Sequence, residues 1–353
     1  MTTVADVGGW RAVLAPLVEG TDLETEVAKA AVTGILAGEA STAQVGAFLG
    51  ALQAKGPAPA EVVAMVDAML SASLPLQLDR VDEVVDIVGT GGSRLRQDKA
   101  FNISTTACFV VAGAGVRVCK HGNRRASSSS GSSDALEALG IAVELDGPRV
   151  ARCVDEAGVG FAFARVFHPA MRHAGPVRAE LGIPTVFNIL GPLSHPGLVL
   201  RQVIGVADPG LAPLVIDVLR RRGAPRAMVV HGSDGLDELT LTGPSQVHQL
   251  RDGVITELEV LPQHLGLVAA VVEDVGVGSP EDNATAIREV LSGVSGARRD
   301  VVLLNAAAGL VVAGAVDDLE AGLDLAASSV DSGRAMAALE RVVEVSNAAG
   351  GMS

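Results

Sequence analysis

Aromatic residues make up only 2% of this 353-residue chain: seven Phe, one Trp and no Tyr. The core must then be built from Ala, Val, Leu and Ile, a mixture in which Ala favours helix and Val and Ile favour strand. Cysteine is scarce as well. Cys108, Cys119 and Cys153 lie in apolar runs without Cys-x-x-Cys spacing, which reads as reduced core thiols rather than a disulfide framework or a thiolate metal site. Positive charge is also short: 27 Lys and Arg stand against 41 Asp and Glu, a formal net charge of −14. Such a chain is repelled by nucleic acid and by anionic membrane, so neither is expected as a partner. No apolar run approaches the roughly 20 residues that span a bilayer. The start, MTTVADVGGW, has no basic stretch leading into an apolar core, so no secretory signal is read and a cytoplasmic location is expected.

What is present is a folded-chain composition, 48% hydrophobic and 19% charged. Trp10–Val18, Glu24–Ala37, Thr42–Ala54 and Pro59–Ser71 carry apolar residues at helical spacing, with glycines at their ends, and predict a small antiparallel bundle. The texture then changes to short apolar runs at Val84–Val88, Val116–Cys119, Gly160–Ala164, Gln202–Val206 and Ala227–Val230. Helical segments are expected at 104–113, 132–139, 149–157, 168–181 and 212–222. This alternation predicts a parallel sheet covered by helices. Glu238–Leu241, Gln246–Leu250 and Val254–Val260 read as antiparallel strands. Helices near 281–292, 299–313 and 317–345, the last broken at Ser332-Gly333, close the chain. The fold class is thus a small N-terminal α-helical domain plus a larger α/β domain with a central, mostly parallel sheet, divided at 1–77 and 78–353.

Residues 86 to 134 concentrate groups suited to an anion. Gly89-Thr90-Gly91-Gly92 follows the strand VVDIV, and glycines there let backbone N–H groups line a concave site; a plain tight turn is the other reading. The dinucleotide fingerprint fails because position 94 is Arg, and no Walker A loop is present. Asn102-Ile103-Ser104-Thr105 opens an apolar helix, where Ser104 or Thr105 is either an N-cap or a hydroxyl facing a bound phosphate. Lys120-His121-Gly122-Asn123-Arg124-Arg125, read as a loop after the strand, runs into the serines 127 to 130, so cations and neutral donors meet as a pyrophosphate requires. Asp237-Glu238, beyond the strand AMVV, supplies the one or two carboxylates that Mg²⁺ takes beside phosphate oxygens. His168, Met171, Gly175 and Arg178 share one face at helical spacing, which aims His168 and Arg178 into one cleft, with a kink expected at Pro176.

The set DIVGTGG, FNIST, KHGNRRASSSSGSSDALEALG, GFAFARVFHPAMRHAGPVRAELGIPTVFNILGPLSHP and VVHGSDGLDEL resembles the anthranilate phosphoribosyltransferase family over nearly the whole chain. The order and spacing of KHGNR, the Asn-x-Leu-Gly-Pro-Leu block and DGLDE carry most of the specificity. The resemblance implies a two-domain homodimer joined through its helical domain, with the 168–195 segment packing on that domain. It implies transfer of the phosphoribosyl group from phosphoribosyl pyrophosphate (PRPP) to anthranilate, with Mg²⁺ as cofactor, in tryptophan biosynthesis. Gly89, Gly92, Ser93, Asn102, Ser104, Thr105, Lys120, Arg124, Ser127, Ser128 and Ser132 match or stand in the PRPP positions. Ser104, Asp237 and Glu238 match the magnesium contacts. Gly89, Asn123, His168, Arg178 and Pro192 match the anthranilate contacts, with Arg178 as partner of the carboxylate. Lys120, Arg178 and His168 are the residues expected to carry the reaction.

The family usually has Asp directly after GTGG; here Ser93 stands there, and SRLRQDKAF makes the following loop longer. That departure keeps open a paralogous PRPP-dependent transferase acting on another aromatic amine. A nucleoside phosphorylase, of a class that resembles this fold, is disfavoured by KHGNR with DGLDE. A nucleic-acid-binding relative is disfavoured by the acidic charge.

Overall fold

Four helices open the chain: Gly9–Val18, Thr25–Leu36, Thr42–Lys55 and Pro59–Ser71, in a computed structural model that describes residues 2–91, 93, 101–123 and 132–348. Ser41 starts the third with a capping box closed by Gln44, and Pro59 starts the fourth at a position where its missing N–H costs nothing. Seven strands follow: β1 (Val84–Gly89), β2 (Arg117–Gly122), β3 (Val159–Phe163), β4 (Arg201–Gly205), β5 (Arg226–Gly232), β6 (Ser245–Arg251) and β7 (Val254–Val260). They form one sheet of order β3-β2-β1-β4-β5-β6-β7, parallel from β3 to β5 and antiparallel thereafter. The β6–β7 hairpin turns through Asp252 and Gly253, both at positive φ, the conformation a tight two-residue turn demands. Strand order reverses between β1 and β4, and in open α/β sheets ligands bind outside the carboxyl ends of the strands at such a point.

Alternation along the strands divides the interior. Val85, Ile87, Val203, Met228 and Val230 face one core, closed by the helices Ile103–Gly113, Ala297–Ala313, Leu319–Asp331 and Arg334–Asn347. Val88, Ile204, Val206 and Val229 face the other. That second core also takes Met65 and Met69 of Pro59–Ser71, Ile189 and Leu190 of Phe187–Leu193, and Val215 and Leu219 of Ala212–Arg221. The N-terminal helices therefore pack on one face of the sheet end. The single-turn helix Pro169–His173 touches Thr25–Leu36, and Gly175–Leu181 touches Thr42–Lys55.

Three sequence expectations are corrected. Glu238–Leu241 is no strand: the backbone of Leu239 is satisfied by Asn305, which accepts from its N–H at 3.0 Å and donates to its carbonyl at 2.9 Å. The basic cluster does not start as a loop, because β2 runs through Lys120, His121 and Gly122. The expected helix 168–181 is two pieces, Pro169–His173 and Gly175–Leu181, and Pro176 lies in the first turn of the second rather than kinking a continuous helix. Within the 168–195 segment, expected to be helical, Phe187–Leu193 forms a helix of its own, with Pro192 inside it. The three cysteines are buried and free, as expected.

Candidate active site

β1 and β4 end in a matched pair of glycines, Gly89 and Gly205, and the segment carrying Asp237 crosses directly over them. A Cβ on Gly205 would lie 1.7 Å from the Asp237 carbonyl oxygen, and one on Gly89 would lie 2.2 Å from Asp237 Oδ2. The glycine turn thus makes room first for a side chain of the protein itself. Asp237 Oδ2 accepts the Gly91 N–H at 2.8 Å, and Glu238 Oε1 accepts the Ser104 N–H at 2.9 Å at the start of the helix Ile103–Gly113. Neither Ser104 nor Thr105 is an N-cap; Asn102 holds that place and is tied through its N–H and Nδ2 to Asn283 Oδ1. Thr105 Oγ1 is buried without a hydrogen-bond partner, as is Ser93 Oγ where the family's Asp would stand.

Lys120 is buried on β2, its Nζ donating to the Ile87 carbonyl and, at 3.2 Å, to Ser104 Oγ. Ser104, Lys120, Asp237 and Glu238 are in this way brought to the ends of β1, β2 and β4. Ser132 opens the helix Ser132–Ala138, and its hydroxyl donates to the Asn123 carbonyl at 3.3 Å. Gly92, Arg124, Ser127 and Ser128 lie outside the described residues.

A cavity of about 680 Å³ opens beside this network. All five residues matched to the acceptor line it: Gly89, Asn123, His168, Arg178 and Pro192. Met171 and Gly175 line it too, so the face inferred from helical spacing survives although the helix is broken. Arg178 lies over the Phe187 ring at 5.6 Å and donates to Asn188 Oδ1 at 3.3 Å, while burial lowers its pKa from the usual value. His168, His121 and His195 are all buried, with rings 5.2 Å (His121–His168) and 5.7 Å (His121–His195) apart. Desolvation drives His168 and His195 down to about 4 and His121 well below its ordinary value, so the three imidazoles are neutral at neutral pH. His168 Nε2 and His121 Nε2 are buried with no hydrogen-bond partner.

Sequence reasoning missed His121, Phe187 and Asn188 as lining residues. All three stand in the KHGNR and FNILGP motifs, and alternation along β2 sends His121 to the face opposite Lys120.

Among the described residues no cluster of three or more His, Cys, Asp or Glu could hold a metal alone. Mg²⁺ does not need one, since it keeps waters and takes one or two carboxylates plus substrate phosphate. Asp237 and Glu238, each steadied through one oxygen by a backbone N–H, and the Ser104 hydroxyl form a hard-oxygen set that fits it.

Two family models match in tandem: "Glycosyl transferase family, helical bundle domain" over residues 11–73 and "Glycosyl transferase family, a/b domain" over 81–336. The chain is 50% identical over 333 residues to the anthranilate phosphoribosyltransferase of Moorella thermoacetica, covering 94% of this chain and 97% of that one. It is 47% identical over 338 residues to the enzyme of Parvibaculum lavamentivorans, covering 96% and 98%. The crystal structure of anthranilate phosphoribosyltransferase from Thermus thermophilus superposes with a TM-score of 0.89 at 43% identity, covering 95% of this chain and 99% of that one. The Saccharomyces cerevisiae enzyme in complex with PRPP and Mg follows at 0.85 and 27%, covering 96% and 97%. A helical bundle joined to a sheet with a glycine-ended switch point, and this likeness along nearly its whole length, lead to one statement: the chain belongs to the anthranilate phosphoribosyltransferase family.

Proposed function

We propose that the protein transfers the phosphoribosyl group of PRPP to the amine of anthranilate, giving N-(5-phosphoribosyl)anthranilate and pyrophosphate, as a step of tryptophan biosynthesis. The observation that carries this reading is the division of the site. An apolar-walled cavity holding Arg178 adjoins a polar network of Lys120, Ser104, Asp237 and Glu238 at the switch point. An aromatic carboxylate suits the first and a pyrophosphate suits the second. The relatives' names agree, and solved structures hold the yeast enzyme in complex with PRPP and Mg and in complex with 4-fluoroanthranilate.

In this mechanism the amine lone pair forms the C1′–N bond as the C1′–O bond breaks and its electron pair leaves with pyrophosphate. The nitrogen then gives up a proton to the departing pyrophosphate. Lys120 stabilises charge growing on the leaving group. Mg²⁺, held by Asp237, Glu238 and the Ser104 hydroxyl, would supply Lewis-acid stabilisation of the same anion. Arg178 grips the acceptor carboxylate and fixes the direction of attack, and alignment supplies much of the remaining rate. His168, kept neutral by burial, offers Nε2 as a hydrogen-bond partner for the amine without competing as a cation. Closing the helical and α/β parts over both substrates would exclude the water that hydrolyses PRPP.

We place the domain boundary near residue 77 and assign the helical part to a homodimer interface, where Val18 is 77% exposed. The test is turnover of PRPP and anthranilate with Mg²⁺, followed as loss of anthranilate fluorescence. Light scattering on the same preparation should give twice the chain's mass. Absence of turnover with anthranilate alongside turnover of another aromatic amine would replace the acceptor and keep the chemistry.

A further inference from the structure

Asp86 is the anomaly of β1. The strand reads Val84-Val85-Asp86-Ile87-Val88, and every one of these residues is buried, Asp86 completely. A carboxylate in such a layer is costly, and an apolar residue of similar volume would be the more stable choice. Its contacts show what it holds. The β1–β2 ladder pairs only Val84 with Arg117 and Val85 with Val118, whereas β2 and β3 stay paired over five residues. Beyond Val85 the backbone ladder between the two strands stops, and side chains take over. Asp86 Oδ1 accepts the His121 N–H of β2 at 3.1 Å, and Lys120 Nζ donates to the Ile87 carbonyl.

Asp86 Oδ2 accepts from Gln202 Nε2 at 3.1 Å, its register partner on β4. The same Nε2 donates to the Pro192 carbonyl at 2.9 Å. The orientation of this amide is forced, because both its neighbours are acceptors while Asp86 is ionised. A flipped Gln202 would set Oε1 against two oxygens. As it stands, Gln202 Oε1 is buried without a partner, a cost accepted for the other two bonds. His121 and Pro192 are both walls of the 680 Å³ cavity.

We propose that Asp86 and Gln202 are a buried positioning pair for the acceptor half of the site: the carboxylate stands in for a backbone acceptor between β1 and β2, fixes the backbone of His121, and through Gln202 locks Pro192 in place. Neither side chain lines the cavity, so the pair acts through the residues that do. The inference rests on the reading of that cavity as the anthranilate site. Asp86→Asn retains the shape but presents an N–H₂ to Gln202, which must flip and then repels the Pro192 carbonyl. Gln202→Leu removes the same link and leaves the charge.

Desolvation raises the Asp86 carboxyl to about 7, with Lys120 opposing, so it takes up a proton just below neutrality. The ionisable groups facing it are Lys120 and the Cys119 thiol on β2 and the Cys108 thiol on the helix Ile103–Gly113, with His121 beside it. Burial pushes both thiols up, Cys108 to about 12, and holds His121 down, so none of those three titrates near 7.

The experiment is steady-state kinetics and anthranilate-fluorescence titration on wild type, Asp86→Asn, Gln202→Leu and the double variant. Each single variant should raise the anthranilate KM and Kd by about tenfold, the size expected for one lost buried contact. In Gln202→Leu the PRPP KM should stay within about threefold of wild type. The double variant should be no worse than the weaker single, because both act through Pro192. The wild-type kcat/KM for anthranilate should fall as pH drops through 7, and the Asp86→Asn profile should be flat there. Lower thermal stability with unchanged anthranilate KM, or additive effects, would overturn the pair alone. If Asp86→Asn does not fold, Gln202→Leu decides on the same KM split. Absence of wild-type turnover overturns the functional reading and the pair's role with it.

Discussion

Arg178 carries its charge into a partly dry cavity where, among the described residues, no carboxylate meets it. Its neighbours are an aromatic face and the Asn188 amide oxygen, and burial already lowers its affinity for a proton. A guanidinium placed this way is unsatisfied until an anion arrives, and its planar fork matches a carboxylate through two parallel bonds. Removing it should cost the 1.5 to 3 kcal/mol usual for hydrogen bonds to a charged group, about 10- to 150-fold in binding. Arg178→Ala is therefore expected to raise the anthranilate KM by that factor with the PRPP KM little changed. Arg178→Lys should recover only part of it, since an ammonium keeps the charge and loses the fork. An equal rise in both KM values would mean that the residue shapes the whole cleft instead of gripping the acceptor.

At the level of elements, paired strand ends do what no single residue can. Gly89 and Gly205 are register partners, and together they form the notch in which Asp237 lies. A methyl group on Gly205 collides with backbone, which no side-chain rotation relieves. Gly205→Ala should thus cost about 1 to 3 kcal/mol of stability by overpacking, and should shift Asp237 and Glu238 enough to raise the Mg²⁺ concentration needed for half-maximal activity. A Mg²⁺ titration beside a thermal melt checks both; an unchanged titration would separate this notch from the metal. The same region shows what was legible in the residues alone. β1 to β5 and the closing helices follow from hydrophobic periodicity, which is local. The Asp237-Glu238 pair follows from residue type and position. The notch does not, because Gly205 acquires its meaning from a segment more than thirty residues later. Glu238–Leu241 misled for a related reason: its apolar pattern suits a strand, but Asn305 of a distant helix supplies the bonds a neighbouring strand would have supplied. The Asp86–Gln202 link was equally hidden, since a polar residue in an apolar strand does not announce its partner.

Across the whole molecule the buried ionisable groups pull stability in opposite directions with pH. His168 and His195 are held near 4 and His121 well below its ordinary 6.5, in each case chiefly by desolvation. His168 and His195 each take up a proton on unfolding between about pH 6.5 and 4, and His121 does so below 6.5, so each contributes stability that is present above 6.5 and lost as pH falls. Asp86 is reversed. Its folded value of about 7 stands above its unfolded 3.8, so the folded state holds a proton that the unfolded chain has released, and its contribution is lost as pH rises through 7. Near pH 5 His168 and His195 each gain a proton on unfolding while Asp86 gives one up, and His121 adds to the gain, so these groups together make stability fall as the solution is acidified through that window. Denaturant melts between pH 6.5 and 4.5 should show this slope. Asp86→Asn removes the opposing proton and should steepen it, while His195→Asn, which keeps an acceptor for the Gly197 N–H that now bonds Nδ1 at 3.0 Å, should make it shallower. If both variants moved the slope in the same direction, these groups would not be the ones that set the acid response.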